Sequence, residues 1–202
     1  MKITKLLPQK RRRNRFSLYL DGSYALGVSA ETVAKLKLFE GKEIDSACLA
    51  TTIFQEECHK AMNYALRLLS YRLRSEKEIL ERLKNQGYSE SVINAIIPAL
   101  KNIGLIDNGK FAHLFVQDRL NLAKKGKRAI YAELLRKGVD RTIIQSALAK
   151  VSADEAAVAK NLIEKYEKRY HHLSPEERKR RLQGLLLRRG FSDKTIESAL
   201  GG

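Results

Sequence analysis

The sequence predicts a mainly α-helical chain. Three tandem three-helix repeats form an elongated, curved body, preceded by a small N-terminal module that contains a β-hairpin. Three observations predict this. An apolar-and-glycine pattern occurs three times at a nearly fixed period. Only 3 of the 202 residues are Pro and none is Trp, while Lys, Arg, Glu, Leu and Ala dominate, which is a helical composition. Residues 16–28 alternate in side-chain character around an Asp-Gly pair, the signature of a hairpin.

The repeat pattern is an apolar residue, a Leu four residues on, a Gly four further, then aliphatic residues six and ten beyond that Gly. Its copies are Ile79, Leu83, Gly87, Ile93, Ile97; Ile130, Leu134, Gly138, Ile144, Leu148; and Leu182, Leu186, Gly190, Ile196, Leu200. The glycines are 51 and then 52 residues apart, a period that signals stacked repeats. Apolar residues four apart share a helix face. The Gly ends that helix, because it takes the left-handed conformation without a Cβ clash. Tyr88, Val139 or Phe191 follows and packs back over the turn. Ser89, Asp140 or Ser192 then caps a new helix.

In chain order, residues 1–44 read as the β-rich module. Ile3 to Leu7 is a short strand, and PQKRRRNR (Pro8 to Arg15) is a basic run without an acid. Phe16, Leu18 and Leu20 form one strand face. Asp21-Gly22 turns the chain, and Tyr24, Leu26 and Val28 return it. Ser29 caps a short helix, and Lys42 to Ile44 adds a further short strand. A module of about 40 residues is marginal alone, so it is expected to lean on the helices.

The first repeat is assigned to 45–106. Asp45 caps a segment reaching Leu73, as one long helix or two. Ser75 and Glu78 form a capping box. Pro98 is expected to kink or shorten the third helix, and Gly104 ends it. The second repeat, 107–151, opens at Asp107 and is divided at Gly126. The third, 152–202, opens with a Ser152/Glu155 capping box. A further box, Ser174 with Glu177, carries Pro175 at the first helical position. Each repeat holds three helices, nine in all.

Apolar residues make up 44% of the chain, enough for a sizeable core. No run of apolar residues is long enough to span a membrane, and the N-terminus lacks a signal-peptide core. Cys48 and Cys58 sit ten residues apart on a helix and point in different directions, so they read as reduced core residues of a cytoplasmic protein.

Catalytic motifs fail on inspection. GLIDNGKF (Gly104 to Phe111) begins like a phosphate-binding loop. Phe111 stands where Ser or Thr should hold magnesium, and a helix precedes it instead of a strand. His59, His113, His171 and His172 show no ligand spacing. No nucleophile elbow, zinc-protease motif or carboxylate pair stands out. The expectation is a protein without catalytic chemistry, metal or cofactor.

What remains is charge. The formal net charge is +16, which attracts polyanions. The basic clusters are Lys10 to Arg13 with Arg15; Arg67, Arg72 and Arg74; Lys124, Lys125, Lys127 and Arg128; Arg136 and Lys137; and Arg178 to Arg181 with Arg188 and Arg189. The helix pairs around each Gly turn resemble a helix-turn-helix, as any short αα-corner does.

One stretch is more specific than periodicity. AMNYALRLLSYRLRSEKEILERLKNQGYSESVINAIIPALKNIGLIDNGKFA (Ala61 to Ala112) resembles the RecX family. The matching residues are Ala65-Leu66 through Leu69, Arg72, Arg74-Ser75, Glu78, Leu83, Gly87, Gly104-Leu105-Ile106-Asp107 and Phe111-Ala112. Gly126 and AELLRKGV (Ala132 to Val139) match downstream. The resemblance covers residues 57–151 well and the third repeat more loosely. Asn108 departs from it, where the family often has a second Asp.

The resemblance implies tandem three-helix repeats that bind the filament of the recombinase RecA on DNA. Family members lodge in its helical groove and inhibit its ATPase and strand exchange; they also bind DNA. The implied partners are a RecA-type recombinase filament and single- and double-stranded DNA, with no membrane and a monomeric state. A bridge across successive protomers in one geometry opposes the changes that accompany ATP turnover. The contact residues expected are Arg72, Arg74, Lys124, Lys125, Lys127, Arg128, Arg136 and Lys137. The alternative is a DNA-binding repeat protein that competes for DNA without touching recombinase. That reading demands affinity falling steeply with salt.

Overall fold

A computed structural model describes residues 1–9, 14–44, 46–151 and 155–201. Lys10 to Arg13, Asp45 and Ser152, which figure in the expectations above, lie outside these residues, and so does the side chain of Cys48. The chain divides into two compact units, Met1–Asp107 and Asn108–Gly202.

The first unit begins with an antiparallel sheet in the order β1 (Ile3–Pro8), β2 (Arg15–Leu20), β3 (Ser23–Ser29). The β2–β3 hairpin turns at Asp21-Gly22, both with positive φ. The β2–β3 ladder shifts register between Leu18 and Tyr19. Ala25 is the extra residue, so alternation holds on β2, where Phe16, Leu18 and Leu20 share one core, and fails on β3, where Leu26 and Val28 are buried but Tyr24 is exposed. Ser29 caps α1 (Ala30–Lys35) by accepting from the Thr32 amide. Lys42 to Ile44 is not a strand of its own. It makes one bridge, Glu43 to Lys2, because the chain turns at once into α2 (Ser46–Tyr71).

Helix α2 is a single helix of 26 residues. With α3 (Glu76–Gln86) and α4 (Glu90–Asn102) it encloses a core of Ala61, Ala65, Ile79, Leu83, Ile93 and Leu100, among others. The Ser75–Glu78 capping box is complete. Pro98 does not shorten α4, which runs through it to Asn102. A proline inside a helix costs about 3 kcal/mol. Burial of Val92, Ile93, Ile96, Ile97 and Leu100 on the other side, at roughly 1.5–3 kcal/mol per side chain, outweighs it. Gly104 follows in the left-handed conformation.

The second unit holds α5 (Asn108–Asn121), α6 (Lys127–Arg136) and α7 (Arg141–Lys150), then α8 (Glu155–Glu167), α9 (Pro175–Arg189) and α10 (Asp193–Leu200). Each set of three closes its own core. Phe111, Leu120, Ile130, Leu134 and Ile144 centre the first, and Leu162, Leu186, Phe191 and Ile196 the second. Ser174 accepts from the Glu177 amide with Pro175 at the helix start, and the Glu177 carboxylate accepts from the Ser174 hydroxyl.

The three Gly turns are built alike. Gly87, Gly138 and Gly190 have φ of 90°, 74° and 82°. The next amide closes back in each copy: Tyr88 to Leu83 O at 3.3 Å, Val139 to Leu134 O at 3.1 Å, Phe191 to Leu186 O at 3.1 Å. Ser89, Asp140 and Ser192 then cap α4, α7 and α10 with their side chains. The sequence period is thus a period in hydrogen bonding.

Candidate functional site

A repeat protein exposes its turns and helix ends, so the cations there are the candidates for contact. In the first unit, Arg72 lies between α2 and α3. Its guanidinium donates to Leu73 O at 2.9 Å and to Glu78 Oε1 at 3.0 Å. Arg74 donates from Nε to Leu68 O at 3.1 Å, satisfying a carbonyl in the last turn of α2. Burial holds its guanidinium below the ordinary value, with the neighbouring Arg72 charge adding to the effect. Both arginines therefore set the angle between two helices as well as carrying charge.

Arg15 does not join the basic run that precedes it. It is 8% exposed and pairs with Glu57 at 2.6 Å, whose side chain is 0% exposed. Its guanidinium also lies 4.4 Å from the ring centre of Tyr88, the residue after the first Gly turn. The β module is locked onto the first repeat at this point. A methyl on Gly27 of β3 would stand 2.9 Å from Gly87 O.

In the second unit the cations gather around two features. One is Glu133 on α6, which accepts from Arg119 Nε at 3.2 Å and pairs with Lys125. Arg119 lies 4.5 Å from the Phe115 ring centre, and Lys137 lies 5.5 Å from it. Burial pushes the Glu133 carboxyl up. The hydrogen bonds from Lys125 and Arg119 and their charges outweigh it and hold the carboxyl below the usual range. A lowered carboxylate stabilises the fold above its unfolded pKa and loses that contribution as pH falls through the folded value. Glu133→Gln is therefore expected to lower the urea midpoint at neutral pH. The gap to the parent should close as pH drops from about 7 to about 3. A gap that stays constant would show that the ion pairs contribute nothing.

The other feature is the joint between the second and third repeats. Gly126 precedes α6 and has no side chain to cap it. The third repeat does this instead. The Gly126 amide donates to Arg189 O at 2.9 Å, the Lys127 amide to Glu155 Oε1 at 2.7 Å, and the Arg128 amide to Gly190 O at 3.2 Å. Arg189 donates back to Ala123 O at 2.7 Å, and Arg128 pairs with Asp193 at 3.0 Å. Lys127 and Arg128 thus flank this joint. Lys124 precedes it, with φ of 52°. Arg136 is exposed in the last turn of α6.

The Gly104 to Lys110 segment is the exit of α4 and the entry of α5, so no strand feeds it. Among the described residues no three His, Cys, Asp or Glu side chains gather as metal ligands, and no helix is long and apolar enough to cross a membrane. Burial, with help from the Glu57 charge, raises the Cys58 thiol above its ordinary pKa, which suits a packing residue more than a nucleophile. The expected contact residues leave out the outer stripe of α9. There Arg180, Arg181 and Arg188 make no side-chain hydrogen bond or ion pair among the described residues. The signal was available in their spacing of one, seven and eight residues, a single face of a helix.

Comparison with known proteins gives one answer along the whole length. Four family models match in chain order: the regulatory protein RecX N-terminal domain over residues 1–45, and the RecX first, second and third three-helix domains over 61–97, 107–148 and 153–200. The regulatory protein RecX of Bacillus subtilis is 36% identical over 199 residues, covering 98% of this chain and 75% of that protein. That of Bacillus licheniformis is 34% identical over 199 residues, covering 98% and 76%. A crystal structure of regulatory protein RecX superposes with a TM-score of 0.70 at 31% identity, over 98% of both chains. A crystal structure of RecX from Lactobacillus salivarius gives 0.66 at 30% identity, over 72% of this chain and 96% of that one. With its sheet, its three Gly-punctuated helical units and these matches, the chain belongs to the RecX family of regulatory proteins.

Proposed function

We propose that this chain regulates homologous recombination in the cytoplasm by binding the filament that a RecA-type recombinase forms on DNA. It seats in the helical groove of the filament and slows ATP hydrolysis, strand exchange or extension. The observation that carries this is the four-module family match over the whole chain. The charge of +16 supports it, because a recombinase filament encloses a polyanion. The mode of action is adhesion: a ligand that fits one filament geometry shifts the filament toward it.

The contacts are assigned to Arg72, Arg74, Lys124, Lys125, Lys127, Arg128, Arg136 and Lys137. Several are held in place by internal partners, which limits the side-chain entropy lost on binding. Arg74 and Lys125 serve the fold too, so reversing their charge damages stability. Lys124, Arg128 and Arg136 are the better test, since the Arg128–Asp193 pair is exposed and worth less than about 1 kcal/mol.

The experiment adds the protein to recombinase filaments on single-stranded DNA and follows steady-state ATP hydrolysis. The parent protein is expected to suppress hydrolysis. The Lys124→Glu, Arg128→Glu, Arg136→Glu variant is expected to need roughly tenfold more protein, the effect of about 1.4 kcal/mol. Unchanged hydrolysis at saturating parent protein would sink the proposal. The high positive charge also favours a second reading, plain competition for DNA. That reading requires no binding to recombinase in the absence of DNA.

A further inference from the structure

The outer face of α9 carries a groove of about 570 Å³, lined among others by Tyr170, Arg180, Arg181, Gly184, Leu187 and Arg188. These α9 residues fall on one helical stripe, turned away from the buried Leu182 and Leu186. Arg180, Arg181 and Arg188 are exposed, and none has a side-chain hydrogen bond or ion pair among the described residues. That sets them apart from Arg119, Lys125 and Arg128 of the second repeat, which are held by Glu133 and Asp193.

Gly184 is the second unusual feature. A glycine inside a helix lowers helix stability relative to alanine. Its local return is space. A methyl there would meet only the Arg188 Nη1 atom, at 3.3 Å, so the glycine opens the helix backbone between Arg180 and Arg188. The third feature is Tyr170. Its ring stacks at a tilt on Tyr166, with centroids 6.2 Å apart, and it forms one wall of the groove. An aromatic wall beside arginine forks is what a single strand uses: bases stack and phosphates pair.

We infer that the α9 groove is a binding site for single-stranded nucleic acid. Arg180, Arg181 and Arg188 pair with backbone phosphates, Gly184 allows the strand to approach closely, and Tyr170 stacks a base. Arg180 and Arg188 are separated along the helix by roughly 12 Å at 1.5 Å per residue, room for more than one phosphate. Arginine forks pair with carboxylates as well as phosphates, so it is the aromatic wall at Tyr170, where a base can stack, that favours a nucleic acid over an acidic peptide. The site goes beyond the filament reading and does not depend on it.

The test uses the full chain alone, titrated into a fluorescent oligothymidylate, with duplex DNA of equal length and polyglutamate as competitors. Replacing Arg180, Arg181 and Arg188 together by Ala is expected to weaken binding at least tenfold. It should also flatten the plot of log affinity against log salt by about 2, since each single-strand phosphate contributes about 0.7. Tyr170→Ala is expected to lose about tenfold, and Tyr170→Phe to retain binding. Gly184→Leu guards against misfolding: its melting temperature should equal or exceed that of the parent, while affinity falls. Unchanged affinity and salt slope in the arginine variant overturn the site. So does loss of binding that extends equally to duplex or polyglutamate, which would mark a general polyanion surface. Inhibition of recombinase without recombinase-free oligonucleotide binding would also remove the α9 site, while leaving the filament reading in place.

Discussion

Replacing Gly126 by Ser is expected to destabilise the Asn108–Gly202 unit by about 3 kcal/mol, although Ser is among the best residues for starting a helix. The backbone there is ordinary, with φ of −75°, so conformational preference favours the substitution. Contact opposes it. A Cβ on Gly126 would stand 2.3 Å from Gly190 O and 2.4 Å from Phe191 N, both backbone atoms that no rotamer change can move. The third repeat must withdraw, and the amides of Gly126, Lys127 and Arg128 then lose the acceptors the third repeat provides. Gly190→Ala should be at least as severe. It adds left-handed strain at φ of 82° to a contact of 2.3 Å with Ala129 Cβ. Gly104→Ala is the control: it shares the strain at φ of 71° but has nothing within 4 Å, and should cost only about 1–2 kcal/mol. Urea unfolding of the three variants ranks them, and amide exchange at residues 126–128 locates the damage. A Gly126→Ser protein as stable as its parent would mean the repeats do not meet at this joint.

Sequence and structure agree where the physics is local. Gly87, Gly138 and Gly190 announce their turns because a left-handed residue followed by a capping side chain needs nothing beyond a few neighbours. Ser75 with Glu78, and Ser29 before α1, are of the same kind. The contrast is Gly126, which the sequence marks only as a helix boundary. Its cap comes from Glu155 and Gly190 in another repeat, and no local pattern records that. Pro98 shows local propensity overruled by a buried stripe on the opposite side of α4. The register shift after Leu18 shows a sheet departing from period two, which side-chain alternation cannot foretell.

The candidate site was readable only as composition. Counting cations finds clusters but not their partners, so Arg15 reads like its neighbours Lys10 to Arg13. Its environment is set by Glu57 and Tyr88, distant in sequence. The same blindness groups Lys125, tied to Glu133, with Lys124. It also gives α9 no priority over α6, although Arg180, Arg181 and Arg188 have no side-chain partner among the described residues while Arg128 on α6 is paired with Asp193.

Glu57→Ala is expected to cost about 3–5 kcal/mol, the usual effect of removing one member of a buried ion pair. Glu57 accepts from Arg15 at 2.6 Å, from the Ser29 amide at 3.0 Å and from the Thr32 hydroxyl at 2.8 Å. Its loss leaves a buried guanidinium that has lost its charged partner and keeps, among the described residues, the neutral acceptor Gly27 O at 2.8 Å and the Tyr88 side chain, with an Nε that has no partner there. Removing both charges should be milder. Arg15→Met with Glu57→Met leaves no stranded ion, so the double variant is expected to be more stable than Glu57→Ala alone. If the double variant were the less stable, packing and not charge would hold the module. The pair also fixes geometry. Arg15 stands opposite Ser29 in the β2–β3 ladder, so a slip of one residue would carry it to the other face of the sheet. It would then miss Glu57 on α2 and Tyr88 at the first Gly turn together. A single side chain thereby ties sheet register to the docking of the β module. The Glu57→Ala protein should accordingly show protease cleavage within residues 1–44 well before cleavage within α3 and α4, whose own core of Ile79, Leu83, Ile93 and Leu100 does not pass through the pair.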